Sequence, residues 1–403
     1  MITARALRTP IGLQIVVAAF LAVWVVAAMF PLLWTAVMSF RVPLDALSSD
    51  PLVVLLGPAT RASAMGISWL DLLLEVAAVV VVYRVTSRVM RPMAVQYAPF
   101  GYVPLGWAQA AICCLGLGAI MLVAVVPMLA RGLDAALLSV PIIGQLAVPA
   151  IGITLEHYRA VWITHQFYHN FQNSLIITTG VVTVSLTVGT LAGYGLARSG
   201  GRMAFWILML ALVFRALPHS VLVTGYLPMF LGSRELLAPL WAAPVIGTVM
   251  HWFSAAPPTL YGQPWAIIIV LVSINQPFTI WMMRSFFDGI PTELDEAARV
   301  DGCTHFEAFW RAIIPVMWPG VITTGLFSFL LAYNDYLVTS LLLDAQSQTM
   351  VPAISQFLNR DTSSADQIEA IAAAVSITAP LFFLVMAFQR QIVSGLTAGA
   401  VKG

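Results

Sequence analysis

Long apolar runs separated by short polar ones set the pattern of the chain. Arg5 and Arg8 precede an uncharged run from Thr9 to Phe40. That run is too long for the apolar core of a signal peptide and long enough to cross a bilayer, so it predicts a retained helix over Ile11–Trp34. A second apolar run, Ser68–Tyr83, opens with Asp71 and Glu75 and closes on Arg84, Arg88 and Arg91. No charge then falls between Pro92 and Ala130, which predicts a span near Trp107–Met128. The two spans would form a hairpin with the three arginines at its tip. Ala135–Leu155 is apolar but holds Pro141, Gly144, Pro149 and Gly152, so an extended or interfacial segment is expected there.

Five more spans follow: Asn173–Leu196, Met203–Phe230 with Arg215 near its middle, Trp265–Met283, Val316–Leu341 and Ala370–Gln389. Between Glu235 and Trp265 the run is equally apolar, but Pro239, Pro244, Pro257 and Pro258 interrupt it, so an outer loop, re-entrant at most, is expected. Gly189 and Gly193 have the GxxxG spacing that lets helices approach closely, or serves simple packing. The fold class is therefore an all-α polytopic membrane protein with about eight transmembrane helices.

Composition agrees: 60% of the 403 residues are hydrophobic and 9% are charged, against about 25% charged in soluble domains. A net charge of +1 gives no case for nucleic acid. Basic residues check the orientation. With the N-terminus inside, 12 of the 19 fall in inner segments, 6 fall outside and Arg215 lies within a span. The positive-inside bias puts both termini in the cytoplasm. It also argues against a further span over Leu236–Ala256. Cys113, Cys114 and Cys303 suggest packing rather than a disulfide framework.

The polar island Pro291–Pro315 stands out, since six of the 18 acids fall between Asp288 and Glu307. It reads as helix, turn, helix. Pro291 and Thr292 suit a start, acids suit the first turn, Gly302 suits a stop, and Thr304 with Glu307 has capping-box spacing. Ala297 and Ala298 form a bare face that another backbone could approach, with Asp295, Glu296, Arg299 and Asp301 as flanking charges. An ordinary solvated loop is the plain alternative.

Other candidates carry less. Arg215 and Asp335 are ionisable groups within expected spans, where such groups usually face a bundle interior or a water-filled path. Tyr333 and Asn334 are weaker candidates for solute contact. The alternatives are a structural ion pair, an interfacial position or packing. His157, His165 and His169 sit in an outer loop, and two histidines four apart lack a third ligand, so no metal is expected. No catalytic set is visible. The only lysine is Lys402, so the chain has no Gly-Lys-Ser/Thr phosphate loop and any ATP-driven work needs a partner subunit.

Glu296-Ala297-Ala298, Gly302 three residues on, and Ala312-Ile313-Ile314-Pro315 nine further resemble the EAA loop of binding-protein-dependent ABC importer permeases. The usual pattern has Ile at 312 and Leu at 314. Tyr333-Asn334-Asp335-Tyr336 is similar to an aromatic-Asn-acid-aromatic element of carbohydrate permeases. The tail from Gln389 and Arg390 through Gly395 and Gly399 to Lys402 resembles the C-terminus of MalG-type subunits of maltose-like importers. The likeness covers residues 1–41 and about 153–403.

It implies a six-helix ABC importer permease core (1–41 and 153–403) with a two-helix hairpin and outer loop inserted at 42–152. It implies a transport subunit of the bacterial inner membrane, not an enzyme. The implied partners are a MalF-type permease, two ATPase subunits holding ATP and Mg, an extracytoplasmic solute-binding protein, membrane lipid and a sugar substrate. The loop would couple the ATPase to alternating access, and the tail would reach the ATPase interface. A polyol or glycerol-phosphate-type solute, or a stand-alone secondary transporter, are the other readings.

Overall fold

The computed structural model describes residues 11–63, 67–97, 132, 149–199, 201–215, 219–359 and 363–398. It is helical apart from one short strand pair. The expected span Trp107–Met128 and most of Ala135–Leu155 lie outside the described residues.

In chain order the elements are α1 (Ile11–Ser39), α2 (Pro43–Ala46), α3 (Pro51–Leu56), α4 (Pro58–Ala62), β1 (Ile67–Ser68), α5 (Trp69–Tyr97), β2 (Pro149–Ile151) and α6 (Glu156–Arg159). Then come α7 (Phe167–Ser199), α8 (Arg202–Arg215), α9 (His219–Leu231), α10 (Ser233–Ala242), α11 (Ile246–Phe253) and α12 (Pro264–Phe287). The polar island supplies α13 (Glu293–Val300) and α14 (His305–Ala308), followed by α15 (Ile314–Tyr333), α16 (Leu337–Leu342), α17 (Met350–Asn359) and α18 (Ser364–Ala398). Single π turns join α6 towards α7 (Ala160–Thr164) and α14 to α15 (Phe309–Ile313).

Among the described residues, 5 helices are long and apolar enough to cross a membrane: Gly12–Ser39, Phe167–Ser199, Pro264–Phe287, His305–Tyr333 and Ser364–Met386. They match five of the expected spans, with corrections at the ends of some of them. The expected span Met203–Phe230 is helical over α8 and α9, and residues 216–218 between them lie outside the described residues. The expected span Val316–Leu341 ends early, at Tyr333, because Asn334 and Asp335 favour local capping over helix continuation. It also begins early, since α14 runs through the π turn and past Pro315 into α15. Finally, α5 runs on to Tyr97, so Arg84, Arg88 and Arg91 lie along a helix that continues beyond the expected end at Tyr83. With Asp71, Glu75, Arg84 and Arg88 close together, α5 is not among the five. The stretch 233–253 forms two short helices, neither of spanning length.

The chain divides into two compact units, residues 1–165 with 357–376 and residues 166–356 with 377–403. In the first, β1 pairs antiparallel with β2, Ile67 opposite Ile151, so the segment between them leaves and returns at one place. Beside it, the Thr154 N–H donates to the Phe40 carbonyl at 2.8 Å. A buried polar knot closes this junction. Asp45 accepts from the Ala59 N–H (3.1 Å), the Thr60 N–H (2.6 Å) and the Thr60 hydroxyl (2.6 Å). The Arg41 guanidinium donates to the carbonyls of Val54 (2.8 Å) and Leu55. Such groups are tolerated inside when most of their hydrogen bonds are made, as those of Asp45 and of Arg41 Nε and Nη2 are.

The second unit holds the helix bundle. Ile177 and Val181 of α7, Val223 and Phe230 of α9, and Ile267, Leu271 and Ile274 of α12 form its main core. In lipid the hydrophobic effect does not drive helices together, so close packing must, and small residues permit it. Gly180, Gly189 and Gly193 of α7 meet α12 directly. A Cβ at 193 would lie 2.8 Å from the Met283 Cβ. Buried amide and hydroxyl groups add to the adhesion: Asn275 of α12 donates to Thr279 (3.0 Å) and across to Ser328 of α15 (2.7 Å).

Candidate functional site

The polar island is built as its sequence dictates. Glu293, Asp295 and Glu296 occupy the first turn of α13, where backbone N–H groups favour negative charge. Asp301 caps its end, and Gly302 follows at φ +91, a conformation that excludes most side chains. The Thr304 hydroxyl then accepts from the Glu307 N–H at 3.3 Å while the Glu307 carboxylate accepts from the Thr304 N–H at 2.9 Å, closing the capping box that starts α14.

One face of this loop is braced. The Asp295 carboxylate accepts from Arg198 Nε at 2.8 Å and from the Tyr194 hydroxyl at 2.7 Å, and Arg198 Nη2 lies 2.7 Å from it as the closest contact of the ion pair. Arg198 also donates to the Phe287 carbonyl (3.4 Å) and the Ile290 carbonyl (3.3 Å) at the end of α12. Beneath, Met283, Phe287, Phe309, Ile313 and Met317 form a buried apolar cluster with Tyr194 packed on it. The Tyr194 ring lies 4.8 Å from Phe309 and 5.5 Å from Phe287. Charge, hydrogen bonds and packing thus fasten α13 to the ends of three spanning helices at once.

The other face is bare. Glu296, Ala297, Arg299, Asp301 and Gly302 are exposed and Ala298 is half-exposed. Val300 is 86% exposed, Phe306 69% and Trp310 63%, an apolar fringe unusual on a polar loop. Asp295 is the exception among the residues expected on the contact rim: it points inward as the brace. Sequence reasoning did not pair it with Tyr194 and Arg198. Their signal was a Tyr and an Arg one helical turn apart at a span end.

The other candidates have local partners. Arg215 donates to the Ile274 carbonyl at 3.3 Å and lies 5.0 Å over the Phe278 ring. Tyr333 is buried, stacks on Phe329 at 5.1 Å and donates to the Ile377 carbonyl at 3.1 Å. Asn334 donates back to the Leu330 carbonyl at 3.0 Å. Asp335, expected within a span, instead accepts from the Thr339 N–H at 3.0 Å in the break before α16. Asn275, Thr279 and Ser328 were missed by the sequence reading, although an Asn in a charge-free run was a visible signal. In the tail, Gln389, Arg390 and Gly395 lie on α18, while Gly399 and Lys402 fall outside the described residues.

The histidines are engaged separately. His157 is buried with Nε2 3.0 Å from the Arg41 carbonyl, and burial holds its imidazole below the ordinary value although that hydrogen bond opposes the shift. His165 lies 2.9 Å from Glu369. The His169 ring sits 4.2 Å from Tyr168. No group of three or more His, Cys, Asp or Glu fit to hold a metal occurs among the described residues.

Fold and site together define a polytopic helical membrane protein with one polar loop braced from within and open on its outer side. The chain belongs to the family described as binding-protein-dependent transport system inner membrane components, which matches residues 185–397. It is accordingly a transport subunit rather than an enzyme.

Relatives bear this out. The diacetylchitobiose uptake system permease protein DasC of Streptomyces coelicolor is 35% identical over 62% of this chain and 82% of its own length. The trehalose transport system permease protein SugB of Mycobacterium tuberculosis is 30% identical over 62% and 83%. The maltodextrin transport system permease protein MdxG of Bacillus subtilis is 26% identical over 62% and 81%. A bacterial ABC transporter for the acidic polysaccharide alginate superposes with a TM-score of 0.44 at 19% identity, over 72% of this chain and 98% of that one, a likeness too loose to identify anything by itself.

Proposed function

We propose that this chain is the permease subunit of an ATP-driven importer for a sugar or oligosaccharide, and that the 291–315 loop is where the ATPase acts on it. The observation that carries the reading is the two-sidedness of α13. Its inner face is ion-paired to the end of a spanning helix, and its outer face presents Glu296, Ala297 and Val300. A push on the outer face passes into α7, α12 and α15 without slack, because α14 is continuous with α15. Substrate-loaded binding protein docks outside, ATP binding closes the ATPases, and the spans switch access.

The partners are a second permease of MalF type, two ATPase subunits that bind ATP and Mg, and an extracytoplasmic solute-binding protein. Both termini face the cytoplasm, and the C-terminal tail, from Gln389 to Lys402, contacts the ATPases. Residues 42–152 form an insertion in the core, supported by the junction of Phe40 with Thr154. Arg215, Tyr333, Asn334 and Asp335 act as supports near the translocation path, with Tyr333 too buried to stack on a sugar. The sugar class rests on the relatives, whose names specify diacetylchitobiose, maltodextrin and trehalose.

The test is solute-stimulated ATPase activity of the co-expressed complex in lipid vesicles, with loaded binding protein and a panel of those sugars, polyols and glycerol phosphates. One sugar should stimulate turnover, and Glu296→Ala should cut that stimulation about tenfold, equivalent to ~1.4 kcal/mol. Stimulation by a polyol or glycerol phosphate alone would reassign the cargo. Assembly without any effect of solute or of Glu296→Ala would refute the coupling role.

A further inference from the structure

α5 lies outside the family-matched region, which begins at residue 185. Its C-terminal half carries Arg84 and Arg88, both exposed, with Arg91 a further three residues along the same helix. Spacings of four and three put the three positions on one face, with Arg84 and Arg88 about 6 Å apart along the axis. No Asp or Glu occurs between Glu75 and Asp134. Glu75 is about 180° around the helix from Arg84. Asp71, also on the far side, accepts from the Ser68 N–H at 2.9 Å while its own N–H donates to the Ser68 hydroxyl at 3.0 Å, a reciprocal cap that starts the helix. Neither acid can neutralise the arginines.

The same face continues toward the N-terminus as aliphatic surface. Leu73 is 63% exposed, Val80 42% and Val81 59%, with Ala77 exposed between them. One ridge therefore runs from bare hydrocarbon into a ladder of guanidinium groups over about four turns. That is the order of groups along a phospholipid, from acyl chain to phosphate. Guanidinium forks bind phosphate oxygens in pairs and are weakly hydrated, which suits the headgroup layer.

We propose that α5 binds an anionic phospholipid, with the headgroup phosphate on Arg84 and Arg88 and an acyl chain along Leu73, Ala77, Val80 and Val81. The charge complement selects the occupant. A neutral lipid would leave two unpaired cations at the membrane boundary, whereas each basic residue near an anionic leaflet contributes about 1 kcal/mol.

The complex, reconstituted in vesicles of equal parts phosphatidylglycerol and phosphatidylcholine, is extracted and its retained lipid read by native mass spectrometry. Wild type should retain phosphatidylglycerol over phosphatidylcholine several-fold, and Arg84→Gln/Arg88→Gln should bring the ratio close to parity. A second reading uses wild type alone: extraction in about 1 M salt, where the screening length is ~3 Å, should erase the preference. Equal retention of both lipids by wild type, a preference that survives in the double variant, or one indifferent to salt would overturn the proposal. So would a second copy or a protein partner held in place of lipid and lost in the variant.

Discussion

Asp295→Asn should abolish most solute-stimulated turnover while leaving the outer face of the loop unchanged. The Arg198 and Asp295 side chains are only 19% and 14% exposed. Removing one partner of such a pair strands the other in a poorly solvated site and costs on the order of 3 kcal/mol. The Tyr194 hydroxyl loses an ionised acceptor as well, so α13 is no longer held to α7 and a push from outside is absorbed at the joint. A structural defect alone would lower the amount of complex and leave turnover per complex intact. The expected result is a normal amount of assembled complex with stimulation reduced more than tenfold, measured as ATPase activity per assembled complex. Arg198→Gln should do the same. Combining the two should recover part of the loss, since no unpaired charge then remains buried.

Gly193→Leu should prevent the bundle from assembling. In an isolated helix, replacing glycine gains helix stability, roughly 0.5–1 kcal/mol for alanine. Here the added carbon would lie 3.0 Å from the Arg284 backbone nitrogen as well as 2.8 Å from the Met283 Cβ, and backbone cannot rotate away. Overpacking costs about 1–3 kcal/mol in ordinary cores, and here the obstruction includes backbone of α12. Gly189→Val should act similarly, because a Cβ there would lie 2.5 Å from the Thr279 Cγ2. The Thr279 hydroxyl is held by Asn275, so that side chain is not free to turn. Gly195, on the same helix, has nothing within 4 Å and serves as the control. Detergent extraction followed by size exclusion should show a folded peak for Gly195→Ala and little or none for Gly193→Leu.

What could be read from sequence was what neighbouring residues decide. Gly302 at the turn and the Thr304–Glu307 capping box were legible because each depends on a few adjacent positions. Five of the expected spans were legible from their length and lack of charge. The GxxxG of Gly189 and Gly193 pointed to close contact, but not to α12 as the partner. The Asp295–Arg198 brace joins residues 97 apart, and no local pattern announces which of several acids turns inward. Asn334-Asp335 breaks the helix within a run apolar enough to look continuous, so hydropathy alone does not reveal it. Arg84, Arg88 and Arg91 suggest the end of a span because clustered charge usually marks one. Backbone bonding is indifferent to an exposed arginine, and α5 continues through them.

The central claim is that the bare face of α13 meets the ATPase, and contact itself can be measured. A photoreactive amino acid at Val300, which is 86% exposed, is placed in the assembled complex in membranes and irradiated. The same probe at Trp252, 88% exposed on α11, is the control. A covalent adduct with the ATPase subunit is expected from position 300 and none from position 252. Absence of that adduct in a complex that retains its ATPase, or equal adducts from both positions, would contradict it.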